Sequence, residues 1–181
     1  MKEIEVKAKV KDFGVLIDKL IKMGCELTLP IIQKDKIFIQ DGLKFPPEYG
    51  KAVLRIRDSN GRFTLTLKKR IGNGLDKVEH EIVINDPIEA EEILKNMNFI
   101  LAIEVNKKRR KCKYKDYEIC LDEVERLGNF IELEKLANEG DSLMIQEELF
   151  KFLESLGVIR EDRVFEGYDI LIYDKMNERQ S

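Results

Sequence analysis

Charged side chains occupy alternate positions near the start of the chain. Glu3, Glu5 and Lys7 are separated by single apolar residues. Strict alternation is typical of a β-strand, in which successive side chains point to opposite faces. One face of the predicted strand therefore carries two carboxylates, which are ligands for hard divalent cations, and an ammonium group, which binds phosphate oxygens. The alternative interpretation is an ordinary antiparallel strand whose charged face lies in water.

The later predicted strands repeat this arrangement, and nearly every one adds charge to the face opposite its apolar residues. The charged positions are Arg55 and Arg57, Lys68, Glu79 and Glu81, Lys107 and Arg109, Asp122, and Glu132 and Glu134. Clustered carboxylates bind a metal ion, while guanidinium and ammonium groups hold phosphates. This combination indicates a substrate with several negative charges that binds together with a divalent cation.

One of these strands contains a continuous basic run, from residue 107 to residue 111. Parity with the apolar residues before the run selects Lys107 and Arg109 for the charged face. A slip of one residue would instead select Lys108 and Arg110. A third interpretation is a basic strand edge that lies in water.

The composition narrows the classes of function. Of 181 residues, 43% are hydrophobic, and 32 basic residues face 35 acidic ones for a net charge of -3. This is a globular composition, and the balance of charge argues against a protein that binds nucleic acid or another bulk polyanion. No apolar run approaches the ~18 residues that span a bilayer, so no membrane partner is expected.

The cysteines and the histidine limit the chemistry further. Cys25, Cys112 and Cys120 are odd in number and lack Cys-x-x-Cys spacing, so we expect neither a disulfide framework nor a zinc site. We interpret them as small buried hydrophobic residues in a protein of the reducing cytoplasm. His80 is the single histidine, which excludes most catalytic triads and histidine-based metal sites. A metal held by carboxylates would be Mg²⁺ or Mn²⁺.

The elements that position these side chains are predicted as about eight strands, mostly in hairpins, and about three amphipathic helices. The helices lie between Asp12 and Gly24, from Asp86 to about Met97, and from about Ser142 to Gly157. The class is α+β with a largely antiparallel sheet. If the helices cover the apolar face from outside, a closed sheet carries its charged face inward as a polar tunnel. The alternative is an open two-layer sandwich with the charged face in water.

The motif Glu3-x-Glu5-x-Lys7 resembles the Glu-x-Glu-x-Lys signature of the CYTH superfamily, the triphosphate tunnel enzymes. The segments Leu54 to Arg57, Thr66 to Lys68, Glu79-x-Glu81 and Leu121 to Glu134 are similar to the later strands of that family in order and spacing. The last block is particularly similar to the branch of class IV adenylyl cyclases and thiamine triphosphatases. The resemblance covers almost the whole chain, which we therefore expect to be one domain over residues 1–181.

This resemblance implies an eight-stranded antiparallel barrel that binds a triphosphate in its tunnel with Mg²⁺ or Mn²⁺, with amphipathic helices packed outside. The implied metal ligands are Glu3, Glu5, Asp122, Glu132 and Glu134. The implied triphosphate ligands are Lys7, Arg55, Arg57, Lys68, Lys107 and Arg109. Glu3, Glu5 and Lys7 are the expected catalytic residues, and Glu79 and Glu81 form a supporting acidic pair.

Three functions are open at this point. On resemblance alone we favour a class IV adenylyl cyclase, which converts ATP to cyclic AMP and pyrophosphate. The same charges would serve a triphosphatase that hydrolyses tripolyphosphate, thiamine triphosphate or a nucleoside triphosphate. A non-catalytic binder of nucleotide or polyphosphate is the third, although the clustered carboxylates would repel such ligands without a metal. A homodimer stays open.

Overall fold

A computed structural model describes residues 2–71, 76–137 and 142–178. Within them it contains nine strands, four α-helices and one 3₁₀ turn. The strands are β1 Lys2–Val10, β2 Ile31–Gln40, β3 Ala52–Ser59, β4 Arg62–Ile71, β5 Asp76–Ile84, β6 Phe99–Tyr114, β7 Tyr117–Val124, β8 Gly128–Ala137 and β9 Arg163–Val164. The helices are α1 Gly14–Lys22, α2 Pro87–Asn96, α3 Ser142–Ser155 and α4 Tyr168–Glu178, and the 3₁₀ turn is Arg160–Asp162.

The chain divides into two compact units. The first consists of Met1–Ile31 and Lys108–Glu166, and the second of Ile32–Lys107 and Gly167–Ser181. Strand β6 contributes residues to both units, because the boundary between Lys107 and Lys108 falls inside it.

The first unit has the strand order β6-β7-β8-β1-β9. Alternation on these strands sends one set of side chains, including Val6, Ile119 and Leu133, into an apolar core. Helices α1 and α3 cover this core with buried residues such as Leu20 and Leu153. Each fully buried leucine contributes roughly 1.5–3 kcal/mol. The opposite face of the same strands is therefore left for the charged residues.

The second unit has the strand order β5-β4-β3-β2-β6. Its core contains Phe38 from β2, Leu54 and Ile56 from β3, and Leu94 from α2. The neighbouring positions on β2 and β3 point to the other face. Helix α2 begins where it is predicted, because the Asp86 side chain accepts hydrogen bonds from the first turn of the helix.

The α+β class and the antiparallel pairing are confirmed. The predicted eight-stranded closed barrel is not confirmed, because nine strands are present and their order in the described residues ends at β5 and β9. The ninth strand has two residues and pairs with Lys7 and Ala8 of β1. Alternation predicts which face a side chain occupies, whereas closure depends on pairing and twist that a strand pattern does not encode.

Two further helices bear on the prediction. Helix α1 begins at Gly14, and the Asp12 side chain accepts a hydrogen bond from the Gly14 backbone N–H at 2.9 Å, so Asp12 caps this end of the helix. The tail around Tyr168, Leu171 and Ile172 is ambiguous in the sequence, with a short helix as one interpretation, and it forms α4, which spans 11 residues. In the part of the chain that the structure describes, no helix combines the length and the apolar character needed to cross a bilayer.

Candidate functional site

Three carboxylates meet on the charged face of the first unit. Glu3 and Glu5 lie on β1, and Glu134 on β8 is the direct partner of Glu5 in the strand register. One oxygen from each of the three lies within 4.8 Å of the others. Burial and the neighbouring charges of Glu3 and Glu132 raise the pKa of Glu134 to about 7. Clustered carboxylates repel one another, and a bound divalent cation relieves that repulsion.

A second group on the same face joins opposite charges. Arg109 on β6 donates from Nε to Asp122 Oδ1 at 2.7 Å, and its Nη2 donates to both Asp122 and Glu132. Lys7 Nζ lies 3.2 Å from Glu132 Oε1 and also donates to the Glu166 carbonyl oxygen at 3.2 Å. Burial alone would lower the pKa of Arg109, but its bonds to Asp122 and Glu132 raise it. The guanidinium is therefore charged and held in one orientation.

The five predicted metal ligands consequently fall into two groups. Glu3, Glu5 and Glu134 come together as a set that could hold a cation. Asp122 and Glu132 bind Arg109, and their role as metal ligands stays a prediction. A buried guanidinium needs such partners, since removing one partner of a buried ion pair costs about 3–5 kcal/mol.

In the second unit, Arg57 is held by a residue that the sequence interpretation did not select. Its Nε and Nη2 donate to Asp35 Oδ1 and Oδ2, each at 2.6 Å, across the β2–β3 register. Burial alone would raise the pKa of Asp35, but the Arg57 hydrogen bonds and charge, with further positive charge from Arg55 and Lys107, lower it. Asp35 shares the odd-numbered side of β2 with Gln33, so its parity was visible, whereas its pairing with Arg57 required the register.

Arg55 lies one row further along the same face. Its Nη2 donates to Thr66 Oγ1 at 3.1 Å and lies 3.4 Å from Glu81 and 3.8 Å from Glu79. Lys68 pairs with Glu79 at 3.1 Å. Burial and the neighbouring Arg57 lower the pKa of Arg55. The exposed acidic pair of β5 thus contacts two of the predicted phosphate ligands.

The basic run of β6 follows the parity that the apolar residues indicate. Lys107 and Arg109 are both 7% exposed, whereas the Lys108 side chain is exposed and lies 3.5 Å from Glu123. Arg110 donates to the Thr28 carbonyl oxygen. Lys107 Nζ lies 4.9 Å from the ring centroid of Tyr168 at the start of α4, a cation–π contact within the second unit.

Cys120 is a second residue of the charged face that the sequence interpretation did not select. It is buried as expected, but it lies on the charged face of β7, directly opposite Glu132 of β8. Its Sγ lies 3.9 Å from Glu118 Oε1, and burial raises the pKa of its thiol. Cys25 and Cys112, in contrast, belong to the apolar core. The signal was available, since Cys120 shares its parity with Asp122.

Comparison with known proteins agrees with this geometry. The model of the CYTH domain family matches residues 1–168. A protein of Methanocaldococcus jannaschii named "Putative adenylate cyclase" is 31% identical over 176 residues, covering 93% of this chain and 97% of the relative. A solved protein of Pyrococcus horikoshii is 28% identical with a TM-score of 0.78, covering 95% of this chain and 99% of that chain.

A more distant solved structure shares the fold. It is a protein of Hippeastrum described as a putative adenylyl cyclase with "a dominant" triphosphatase activity. It is 19% identical with a TM-score of 0.64, covering 91% of this chain and 90% of that chain. The family match over most of the chain establishes that the chain belongs to the CYTH family. Proteins of that family are enzymes that depend on a divalent metal ion. The chain is therefore a CYTH-family enzyme.

Proposed function

We propose that this enzyme converts ATP to cyclic AMP and pyrophosphate with Mg²⁺ or Mn²⁺ as its cofactor. The observation that carries the metal-dependent part is the group formed by Glu3, Glu5 and Glu134, whose oxygens lie within 4.8 Å of one another on one face. The cyclase direction rests on the Methanocaldococcus relative, which this chain matches over 97% of that relative's length.

The donor set fits a hard divalent cation. All three residues offer carboxylate oxygens, which suit Mg²⁺ or Mn²⁺, and Glu134 has a raised pKa that a nearby positive charge would lower. When bound, such a cation neutralises phosphate charge and polarises the phosphorus–oxygen bonds. Glu3 and Glu5 are the proposed catalytic carboxylates of this set, and Asp122 and Glu132 orient Arg109 beside it.

The basic residues of each unit are the proposed triphosphate ligands. Lys7 and Arg109 serve in the first unit, and Arg55, Arg57, Lys68 and Lys107 in the second. Each of the guanidinium groups already has a carboxylate partner that fixes its direction. Such preorganised cations stabilise the charge that develops in nucleotidyl transfer without reorganising during the reaction. Glu79 and Glu81 would keep Lys68 and Arg55 in place.

A triphosphatase is the second candidate, favoured by the description of the Hippeastrum protein. In a cyclase the 3′-hydroxyl attacks the α-phosphorus of ATP and pyrophosphate leaves. In a triphosphatase water attacks the terminal phosphorus and phosphate leaves. The charges described above serve both reactions.

Product analysis tests the proposal. The protein is incubated with ATP, tripolyphosphate or thiamine triphosphate in Mg²⁺ or Mn²⁺, and the products are separated by chromatography. Cyclic AMP with pyrophosphate would support the cyclase, and free phosphate would replace it with the triphosphatase. Undiminished turnover in excess EDTA would contradict the metal-dependent scheme. Binding without turnover would favour a non-catalytic nucleotide or polyphosphate binder.

We also propose that the enzyme works in the reducing cytoplasm. The cysteines Cys25, Cys112 and Cys120 are buried and unpaired by disulfides. Subcellular fractionation with an antibody would test the location. A homodimer is a further proposal, which light scattering after size exclusion would test.

A further inference from the structure

Three buried polar atoms of the second unit have no hydrogen-bond partner. They are Gln33 Oε1, Arg55 Nε and Thr64 Oγ1, the complete set of such side-chain atoms in the residues that the structure describes. Gln33 and Thr64 are each only 7% exposed. Native structures satisfy most buried polar groups, so each exception needs an explanation.

The three residues occupy consecutive rows of one sheet face. Thr64 on β4 is the direct partner of Arg57 on β3, and Arg55 is the partner of Thr66 in the next row. Gln33 lies in the row on the other side of Arg57, opposite Ser59. Because β3 lies between β2 and β4, Gln33 and Thr64 are two strands and one row apart, so a ligand would contact them with separate groups.

The chemistry of this face changes along its length. At one end the side chains of Lys68 and Glu79 are charged and about one-third exposed, at 35% and 33%. In the middle, the charge of Arg57 is neutralised by Asp35. Thr64 shares the middle row with Arg57. At the other end Gln33 and Ser59 are uncharged, and the exposed Arg62 is the strand partner of Ser59. A triphosphate suits the end at Lys68, and a polar organic group suits Gln33.

The free atom of Gln33 specifies the kind of group. Gln33 Nε2 donates to Ser59 Oγ at 3.3 Å, which leaves Oε1 as an acceptor that needs an N–H or O–H donor. Ionised phosphate oxygens only accept hydrogen bonds, so they leave Gln33 Oε1 unsatisfied. The hydroxyl of Thr64 can donate or accept.

We infer that Gln33 and Thr64 bind separate amine or hydroxyl groups of the organic part of the substrate, so that the enzyme prefers a nucleoside triphosphate to inorganic tripolyphosphate. This inference rests on the proposed function and adds the residues that select the substrate class. A site that hydrogen-bonds a substrate N–H or O–H disfavours a ligand without that group, because its own buried atom is left unpaired.

The test compares two ligands, the α,β-methylene analogue of ATP and inorganic tripolyphosphate. Their dissociation constants are measured at pH 8 with Mn²⁺ by calorimetry, and the melting temperature without ligand verifies folding. Gln33→Leu removes the acceptor at similar size and should weaken binding of the nucleotide by about 5- to 150-fold, while binding of tripolyphosphate is unchanged. Thr64→Val is nearly isosteric and should also lower the ratio of nucleotide affinity to tripolyphosphate affinity.

Two further variants sharpen the comparison. Gln33→Glu keeps an acceptor oxygen, so the ratio of nucleotide to tripolyphosphate affinity should stay near that of the wild type even if both ligands weaken. Gln40→Leu is the same substitution at the exposed end of the same strand, and it should change the dissociation constant of neither ligand. Triphosphates of purine riboside and 2′-deoxyadenosine then identify the donor, since Gln33→Leu should not affect an analogue that lacks it.

Equal weakening of both ligands by Gln33→Leu would place Gln33 at the phosphates and overturn the inference. No change in either ligand would mean that these atoms bind only water, which would also overturn it. A wild-type protein that binds neither ligand would instead contradict the proposed function itself.

Discussion

Asp35 and Arg57 form a buried ion pair that carries a prediction about stability and pH. The substitution Asp35→Asn leaves the guanidinium without its two charged bonds. The expected cost in unfolding free energy at pH 7 is about 3–5 kcal/mol. Because the pKa of Asp35 in the folded protein is lowered from 3.8, the pair stabilises the protein above that value and its contribution is lost as the pH falls through the folded pKa.

Urea unfolding at pH 7 and pH 3 measures this effect. The difference between wild type and variant should be large at pH 7 and smaller at pH 3. Asp41→Asn, at an exposed position just after the same strand, is the control and should behave as wild type. A difference that is the same at both pH values would mean that the charge of Asp35 is not the cause.

The second residue-scale prediction concerns Glu5 and Glu134. Each Glu→Gln change should abolish turnover and reduce the stabilisation by Mn²⁺, since a ligand that binds only the folded state stabilises it. Without metal the variants should be as stable as wild type or more stable, because one repelling charge is gone.

Melting temperatures with and without Mn²⁺ for wild type, both variants and the double variant provide the measurement. Loss of the metal effect should be sub-additive if the two residues share a cation. Glu123→Gln, on the exposed side of β7, serves as the control. Full metal stabilisation in either variant would remove that residue from the metal group.

At this scale the sequence predicted faces better than partners. Alternation placed Glu3, Glu5 and Glu134 on one face, and the structure brings them together. Alternation could not show that Asp122 accepts hydrogen bonds from Arg109, because hydrogen-bond partners depend on strand register and side-chain direction. Asp35 was missed for the same reason, since nothing local distinguishes it from a solvated aspartate.

Among the elements, the start of α2 makes a prediction independent of the site. Asp86 accepts from the backbone N–H groups of Ile88 and Glu89 at 2.9 and 3.0 Å. Asp86→Ala should cost about 1 kcal/mol in unfolding free energy, with turnover unchanged. Asp86→Asn keeps the acceptor oxygen and should lose less than half of that in urea unfolding. Equal losses in the two variants would show that the cap bond is not the cause.

Local signals explain which elements were predictable. Helix α2 has an aspartate cap followed by proline, and its start was predicted correctly. Helix α4 lacks a clear apolar stripe, and its buried residues Tyr168, Ile170 and Ile172 follow a spacing of two that resembles a strand. Its helical form depends on packing within the second unit, such as the contact between the rings of Tyr173 and Phe45, whose centroids lie 5.1 Å apart.

At the scale of the whole molecule, the two units share continuous strands. The chain passes between them three times: inside β2 after Ile31, inside β6 after Lys107, and after Glu166 in the segment between β9 and α4. We propose that the chain is nonetheless one domain, as the family match over residues 1–168 suggests. Calorimetry should then show one cooperative unfolding transition whose van't Hoff and calorimetric enthalpies agree. Two resolved transitions would mean that the units unfold separately.

The positions of these boundaries have a consequence for proteolysis and for gene truncation. Proteases cut exposed, irregular linkers. The crossings inside β2 and β6 offer none because both peptide bonds lie within strands, whereas the third lies in the irregular segment between β9 and α4, where Phe165 and Glu166 are exposed. A gene fragment that stops after Lys107 would also end in the middle of β6, leaving a partial strand with unpaired backbone groups. Such a fragment is expected to aggregate rather than persist as a folded half, so any natural or engineered splitting of this enzyme would have to occur outside β2 and β6.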